Sequence, residues 1–274
     1  MAQAGPLTGY PEISVITPSF NQGVFLERTI KSVLDQNYPN LQYLIIDGGS
    51  TDDSVSIIKK YESNLFYWVS EPDRGQADAI NKGLRRATGE WVAWQNSDDI
   101  YYPGVFHQLA ETAELHPEVD LIIGNLLLID ATDHPLRDLH YVRPTYNSLV
   151  AEGMVLANQA AFWRRSLHDR IGYLEDKMSY SFDYEWFLRV LKGRKAVHVN
   201  QTWGGFRVHE MAKTNNPKRR FVEENRQILQ GKKISRGFLF RYRLRRMLLL
   251  LAQGDFYYVA RGVMRRLWGK DGLL

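Results

Sequence analysis

What most constrains this chain is a change of hydrophobic period that recurs along its first third. Short alternating β-branched runs give way, again and again, to segments with apolar residues every three or four positions. Ile13 to Thr17 is strand-like and stops at Pro18; the next stretch sets Leu26, Ile30, Val33 and Leu34 on one helical face before Tyr38-Pro39-Asn40 ends it. Leu41 to Asp47 is again strand-like, Gly48-Gly49-Ser50 breaks it, and Asp52 or Asp53 can cap a helix carrying Val55, Ile58 and Tyr61. A third strand is predicted at Phe66 to Ser70, a third helix at Gln76 to Ala87 with Ala77, Ile80 and Leu84 inward, and a fourth strand at Glu90 to Gln95. Repeated βα units predict an α/β fold with a mainly parallel sheet and helices on both faces. Ligands of such sheets sit beyond the carboxyl ends of the strands. The four polar clusters there, Thr17 to Asn21, Asp47 to Ser50, Glu71 to Gly75 and Asn96 to Asp99, are therefore expected to converge.

The second half is less regular. It predicts a helix from Pro103 to about His116, strands at Leu121 to Asn125 and Leu126 to Asp130, and a loop-rich stretch to about Ala157. A strand at Asn158 to Trp163, a helix at Asp183 to Leu191 and a strand at Lys195 to Val199 follow. Beyond Asn215-Asn216-Pro217 two or three helices are expected, so the chain divides into a domain over 1–215 and a helical tail over 216–274. With 274 residues and 44% hydrophobic content it can bury a sizeable core. Zero cysteines exclude a disulfide framework, thiolate zinc, an iron-sulfur cluster and a cysteine nucleophile, so any metal is held by carboxylates, imidazoles or phosphates.

Six motifs in order, ISVITPSFN (Ile13 to Asn21), LIIDGGSTDDS (Leu44 to Ser54), EPDRGQADAINKGL (Glu71 to Leu84), GEWVAWQNSDDIYYPG (Gly89 to Gly104), FDYEWFLRV (Phe182 to Val190) and FRVH (Phe206 to His209), resemble the inverting family 2 glycosyltransferases of the GT-A fold. The resemblance covers roughly Glu12 to Thr214 and leaves the tail outside. It implies a Rossmann-like sheet with a nucleotide-sugar half at about 12–105 and an acceptor half at 106–215. It further implies transfer of one sugar, with inversion, from a nucleotide-diphosphate sugar to a hydroxyl acceptor in cell-surface polysaccharide or lipid-linked glycan assembly. A UDP- or dTDP-sugar is the favoured donor, and a GDP-sugar stays open.

The resemblance also assigns roles. Asn96-Ser97-Asp98-Asp99 is similar to the family's Asp-x-Asp element, with Asn96 in place of the first aspartate. Asp98 is then the main ligand of Mn²⁺ or Mg²⁺, Asp99 the second candidate, and His209 an imidazole ligand or diphosphate contact; hard oxygen donors suit these ions. Asp47 is expected to accept a hydrogen bond from the nucleotide base, or else to close the turn before Gly48-Gly49. Thr17, Pro18 and Ser19 frame the base, Asn96 and Ser97 lie on the donor side, and Arg74 brings a planar charge to the diphosphate or base. Asp78 meets the ribose or orders Arg74, and Lys82 is a donor contact or a solvated helix charge. Asp183 stands where the family places the general base that takes the acceptor hydroxyl's proton, its alternative being a helix cap. Glu185 is the runner-up base or an acceptor contact. Gln159, Trp163 and Trp186 are acceptor candidates, the two tryptophans having a core role as the alternative.

Charge is unevenly spread. From Met211 to Leu274 there are 16 Lys and Arg against four acids, so residues 1–210 sum to −8 although the whole chain is +4. The tail alternates arginines (Arg236, Arg241, Arg243, Arg245, Arg246) with Phe238, Leu239, Phe240, Tyr242, Leu244 and Met247 to Leu251, and Phe256 to Trp268 repeats the pattern. It is expected to lie on an anionic membrane surface, or to pack on the domain or a second subunit of a homodimer. Met1 to Pro11 lacks a leader pattern, and the longest uncharged apolar run, Met247 to Ala252, is far short of the roughly 20 residues of a span. The expected address is cytoplasmic, peripheral to the inner face of the membrane. No G-x-G-x-x-G follows a strand, which disfavours a nicotinamide enzyme, and no zinc, RRM or homeodomain signature supports nucleic acid as a partner. A Gln-x-x-Arg-Trp acceptor motif and multiple spans are both missing, which points away from a processive synthase.

Overall fold

The computed structural model describes residues 9–212 and 218–267. Its first half follows the sequence period. β1 (Ile13–Ser19), β2 (Leu41–Asp47), β3 (Tyr67–Ser70) and β4 (Trp91–Trp94) are parallel, and α1 (Gly23–Leu34), α2 (Ser54–Lys60) and α3 (Gln76–Leu84) connect them. Alternation along each strand feeds two cores, one per face of the sheet. Val15 and Ile45 join Leu26, Ile30 and Phe106 on one side, while Ile16, Leu44 and Ile46 join Ile80, Trp94 and Trp186 on the other. Full burial of each such side chain stabilises the fold by roughly 1.5–3 kcal/mol.

The second half departs from the sequence expectation in several elements. β5 (Ile100–Tyr101) precedes α4 (Val105–Leu115), and the two strands expected between Leu121 and Asp130 are one, β6 (Leu121–Ile129). The loop-rich stretch holds β7 (Pro135–Leu139) and α5 (Tyr146–Glu152), whose start is fixed by a Thr145 and Ser148 capping box. Asn158–Ala160 is a 3-10 turn, and strand β8 begins after it at Ala161–Arg164; α6 (Leu167–Ile171) and α7 (Phe182–Leu191) follow. β9 (Ala196–Arg207) runs eight residues beyond the expected end at Val199, because two register shifts let it stay paired to β6 along its whole length. The nine strands form one sheet in the order β3-β2-β1-β4-β8-β6-β9-β5, with β7 on β6. Parallel pairing holds from β3 to β4, and antiparallel pairs at β8 and β5 mix the sheet beyond it.

Gly204 is what lets β9 reach the site. A Cβ there would stand 2.4 Å from the Gln159 carbonyl oxygen, so only glycine permits the strand to pass the 3-10 turn. β9 then ends with Arg207 beside Asp99.

Three tail helices are described, α8 (Lys218–Ile228), α9 (Arg236–Ala252) and α10 (Phe256–Leu267). α9 is docked on the domain: Leu250 is buried, Arg246 pairs with Glu152 at 3.0 Å, Arg245 donates to the Arg143 carbonyl, and Gln253 meets His198 at 3.0 Å. Arg261 of α10 pairs with Asp138 of β7. Of the arginines expected to face a membrane, Arg245 and Arg246 thus turn to the domain, while Arg236, Arg241 and Arg243 are exposed. Among the described residues no helix is long and apolar enough to cross a membrane. The division at 215/216 and Trp268 lie outside the described residues.

Candidate active site

A cavity of about 680 Å³ opens at the carboxyl ends of the parallel strands, where the sequence placed the convergence of the polar loops. Pro18, Ser19, Asn96, Ser97, Asp98, Gln159 and Asp183, all predicted from sequence, line it. The first two loops are knitted together by side chain to backbone bonds: Ser50 Oγ accepts from the Asn21 N–H at 2.8 Å, Asn21 Oδ1 from the Thr51 N–H at 2.8 Å, and Asp52 from the Gly23 N–H at 2.8 Å. Asn21 takes a left-handed conformation (φ 52°) to make this possible. Ser19 Oγ and Gln22 Oε1 are buried in residues lining this end and have no hydrogen-bond partner among the described residues, as expected of groups that await a ligand.

Several donor-side residues are spent elsewhere. Asp47 is fully buried, and its carboxylate accepts from the Gly49 and Ser50 N–H groups, the Ser50 hydroxyl and the Ser70 hydroxyl (2.5 to 3.1 Å). Four donors fill the acceptor capacity of a carboxylate, so Asp47 closes the turn. The acceptor that faces the cavity here is Asp73, which sits against Gly48 where a Cβ would lie 2.5 Å from its Oδ2. Thr17 bonds Tyr43 Oη at 3.0 Å beneath the cavity floor. Arg74 is largely exposed and bridges Asp78 (2.7 Å) and Asp176 (2.6 Å), and both Asp78 oxygens bond Arg74, so Asp78 orders Arg74. That contact holds the Asp78 carboxyl below the usual range. Lys82 pairs with Glu71 at 2.8 Å.

The Asp98-Asp99 turn is the most heavily braced part of the site. Asp99 is buried and accepts from the Arg207 N–H (2.8 Å), Gln159 Nε2 (2.8 Å) and Asn96 Nδ2 (2.9 Å), and it does not line the cavity. Burial, with the Asp98 charge beside it, pushes the Asp99 carboxyl up to about 8, against the pull of those three donors. Arg207, also fully buried, donates to the Asp98 carbonyl at 2.7 Å and pairs with Asp133 at 2.5 Å. Asp98 itself faces the cavity, and its Oδ2 lies 3.0 Å from His209 Nε2. A carboxylate oxygen and an imidazole nitrogen are ligands that Mn²⁺ accepts. Among the described residues no cluster of three or more His, Asp or Glu could hold a metal alone, so phosphate or water oxygens would complete the shell.

Asp183, which also lines the cavity, stands in the first turn of α7, half-buried, with Oδ1 accepting the Tyr184 N–H at 2.7 Å. The residue at the helix cap position is Ser181, whose side chain makes no capping bond, and Asp183 is the second residue of the helix. Asp98 and Asp183 therefore line one cavity.

A family model described as Glycosyl transferase family 2 matches residues 14–171, more than half of the chain. The chain belongs to this family. An uncharacterized glycosyltransferase of Mycobacterium tuberculosis is 33% identical over 189 residues, covering 67% of this chain and 70% of that protein. A putative teichuronic acid biosynthesis glycosyltransferase of Bacillus subtilis, TuaG, is 42% identical over 92 residues, covering 32% of this chain and 36% of that protein. Among solved structures, S. aureus TarS 1-349 in complex with UDP-GlcNAc matches with a TM-score of 0.66 at 18% identity, covering 79% of this chain and 65% of that one. The mannosyltransferase PcManGT from Pyrobaculum calidifontis, in complex with GDP-Man and Mn²⁺, matches at 0.62 and 20%, covering 99% of this chain and 79% of that one. The fold is thus that of the GT-A glycosyltransferases, and the second likeness takes in the tail.

Within this family 2 chain, three acceptor candidates turn out not to line the cavity. Glu185 clasps Arg189 through both oxygens (2.6 and 2.8 Å), and Arg189 in turn holds the Tyr173 carbonyl at 2.7 Å. Trp163 and Trp186 are fully buried: the first donates its indole N–H to His168 Nε2 at 3.0 Å, and the second stacks on the same imidazole at 4.7 Å. The aromatic spacing marked a core, and its centre is a neutral histidine. Burial pushes His168 down to about 4, so its uncharged form is the folded one. The unfolded chain takes up a proton from about pH 6.5. His168 therefore stabilises the fold above that pH and loses its contribution as pH falls toward 4. His168→Gln is expected to flatten the melting temperature against pH between those limits relative to the parent chain; an unchanged profile would refute the assignment.

The sequence missed Glu224. From α8, outside the family motifs, its carboxylate accepts the backbone N–H groups of Ser179, Tyr180 and Ser181, each at 2.9 Å, and so caps the segment that leads into Asp183. Burial works against ionisation, but these donors outweigh it and hold the Glu224 carboxyl below the usual range. One signal was available, since an acid among the tail's 16 cations is out of place.

Proposed function

We propose that this family 2 glycosyltransferase moves one sugar from a nucleotide-diphosphate sugar to a hydroxyl acceptor by direct displacement with inversion. The observation that carries the reading is that Asp98, bonded to His209, and Asp183 line one cavity. In this reading residues of about 12–105 hold the donor, with Pro18, Ser19, Asn96 and Ser97 around it, and residues 106–215 present the acceptor next to Gln159. Asp98 and His209 would hold Mn²⁺ or Mg²⁺, which when bound neutralises the charge that develops on the departing diphosphate. Asp99 keeps its three donors and positions Asp98 through the shared turn. Asp183 accepts the proton of the attacking hydroxyl.

The presence of UDP-GlcNAc in one structural neighbour and of GDP-Man with Mn²⁺ in another supports a nucleotide-sugar donor. The likeness to TuaG, a putative teichuronic acid biosynthesis glycosyltransferase, supports a product in cell-surface glycan assembly. A lipid-linked acceptor fits a tail whose exposed Arg236, Arg241 and Arg243 meet an anionic membrane on its cytoplasmic side.

The test is a thermal-shift screen of UDP-, dTDP- and GDP-sugars with Mn²⁺. A ligand at 100 times its Kd stabilises the native state by about 2.7 kcal/mol, a shift of several degrees, and one base is expected to dominate. If no nucleotide sugar raises the melting temperature above that with free phosphate, the reading fails.

A further inference from the structure

A second cavity, of about 450 Å³, lies between α9, α10 and β7. Its size falls within the range of roughly 300–1,000 Å³ typical of small-ligand sites. Five guanidinium groups, from Arg137, Arg243, Arg246, Arg261 and Arg265, line it, and no carboxylate does. Two of the five are aimed by acids outside the cavity, Arg246 by Glu152 and Arg261 by Asp138. Arg243 and Arg265 have no acidic partner among the described residues. Between the cations the walls are hydrocarbon: Leu244, Met247 and Leu250 recur along one stripe of α9, and Val259 and Val263 face them from α10. At the mouth Phe240 is 68% exposed, and Val263 is 47% exposed.

We propose that this cavity is a binding site for the phosphate head group of a membrane lipid, with the start of its hydrocarbon chains on the apolar walls. Arginine clusters recognise phosphate by paired, planar hydrogen bonds. Arg243 and Arg265, with no acid to offset them, repel their neighbouring guanidinium groups, so an anion is the ligand this charge set lacks. A free phosphate would leave the apolar walls wet, and a nucleic acid would need an extended row of cations, where these five line one cavity of about 450 Å³. The proposal deepens the membrane reading of the tail and is independent of the donor chemistry. A lipid seated here would bridge the tail to β7, since Arg137 stands on the strand that pairs with β6.

Gly262 offers a test that leaves the charge alone. It lines the cavity, a Cβ on it meets no atom within 4 Å, and its φ is not positive, so Gly262→Leu adds bulk to the cavity without backbone strain. The ligand is dihexanoyl phosphatidic acid below its micelle concentration, titrated into the full chain by calorimetry and compared with dihexanoyl phosphatidylcholine and inorganic phosphate. Saturable binding of one phosphatidic acid per chain is expected, at least about tenfold tighter than either comparator. Gly262→Leu and the pair Arg243→Ala/Arg265→Ala should each weaken it about tenfold or more, while Lys232→Ala/Lys233→Ala, which removes the same charge elsewhere in the tail, stays within about twofold. Equal binding of phosphatidylcholine, equal binding of inorganic phosphate, or equal loss in the lysine pair would each overturn the proposal. If Gly262→Leu does not fold, the arginine pair decides. Flotation with phosphatidylglycerol vesicles reads the membrane role separately: a chain that floats but does not bind the short-chain lipid keeps its surface attraction and loses this site.

Discussion

Asp183→Asn is expected to cut sugar transfer by a factor on the order of 10² to 10⁴ while leaving donor affinity within about twofold. Asparagine keeps the Oδ1 that accepts the Tyr184 N–H, so the first turn of α7 retains its geometry. What it removes is the ability to take up a proton at the second oxygen, in a cavity where the acceptor hydroxyl needs a base. Initial rates of transfer, with donor binding read by thermal shift, separate the two effects. The product's anomeric configuration, read by NMR on fresh material, should be opposite to that of the donor. A rate near that of the parent chain, or retention of configuration, would rule out Asp183 as the base of a single displacement.

The second large effect is expected at Asp98. Asp98→Ala should abolish nearly all turnover and donor hydrolysis, and EDTA should do the same to the unaltered chain, with Mn²⁺ or Mg²⁺ restoring it. The Asp98 side chain bonds His209 and faces the cavity, whereas the turn is held by the Asp98 backbone and by Asp99. Stability should therefore change little, and a melting curve close to that of the parent chain is part of the prediction. Full activity in EDTA, or a near-normal rate in Asp98→Ala, would remove the cation from the scheme.

The parts of this architecture that were legible in the sequence are those encoded locally. Each βα unit has its own change of period, and each strand end its own polar cluster, so β1 to β4, α1 to α3 and the convergence of the loops could be read directly. β9 could not, because its outer half runs through polar residues and two glycines, and it is a strand only because β6 and β5 pair with it. Asp47 shows a different limit. Its residue type correctly signalled a hydrogen-bond acceptor, but the donors are its own turn and Ser70, which no spacing argument orders in advance. Trp163 and Trp186 were ambiguous for the same reason: a tryptophan suits a sugar face or a core equally, and His168 decides between them through space.

Glu224 has a consequence for how this molecule can diverge. The stretch that matches the family model ends at residue 171, so it contains Asp98 but stops short of both Asp183 and the carboxylate that caps the approach to it. In the proposed scheme the base, the segment that leads into it and His209 are therefore written outside the stretch that holds Asp98. A substitution at Glu224 on α8, some 40 residues past Asp183 and beyond the stretch that the family model matches, can move the Ser179 to Ser181 backbone by altering three hydrogen bonds. Under the proposed function, acceptor choice can drift in this way while the donor stays the same, and the helix to watch is one that lies outside the matched motifs.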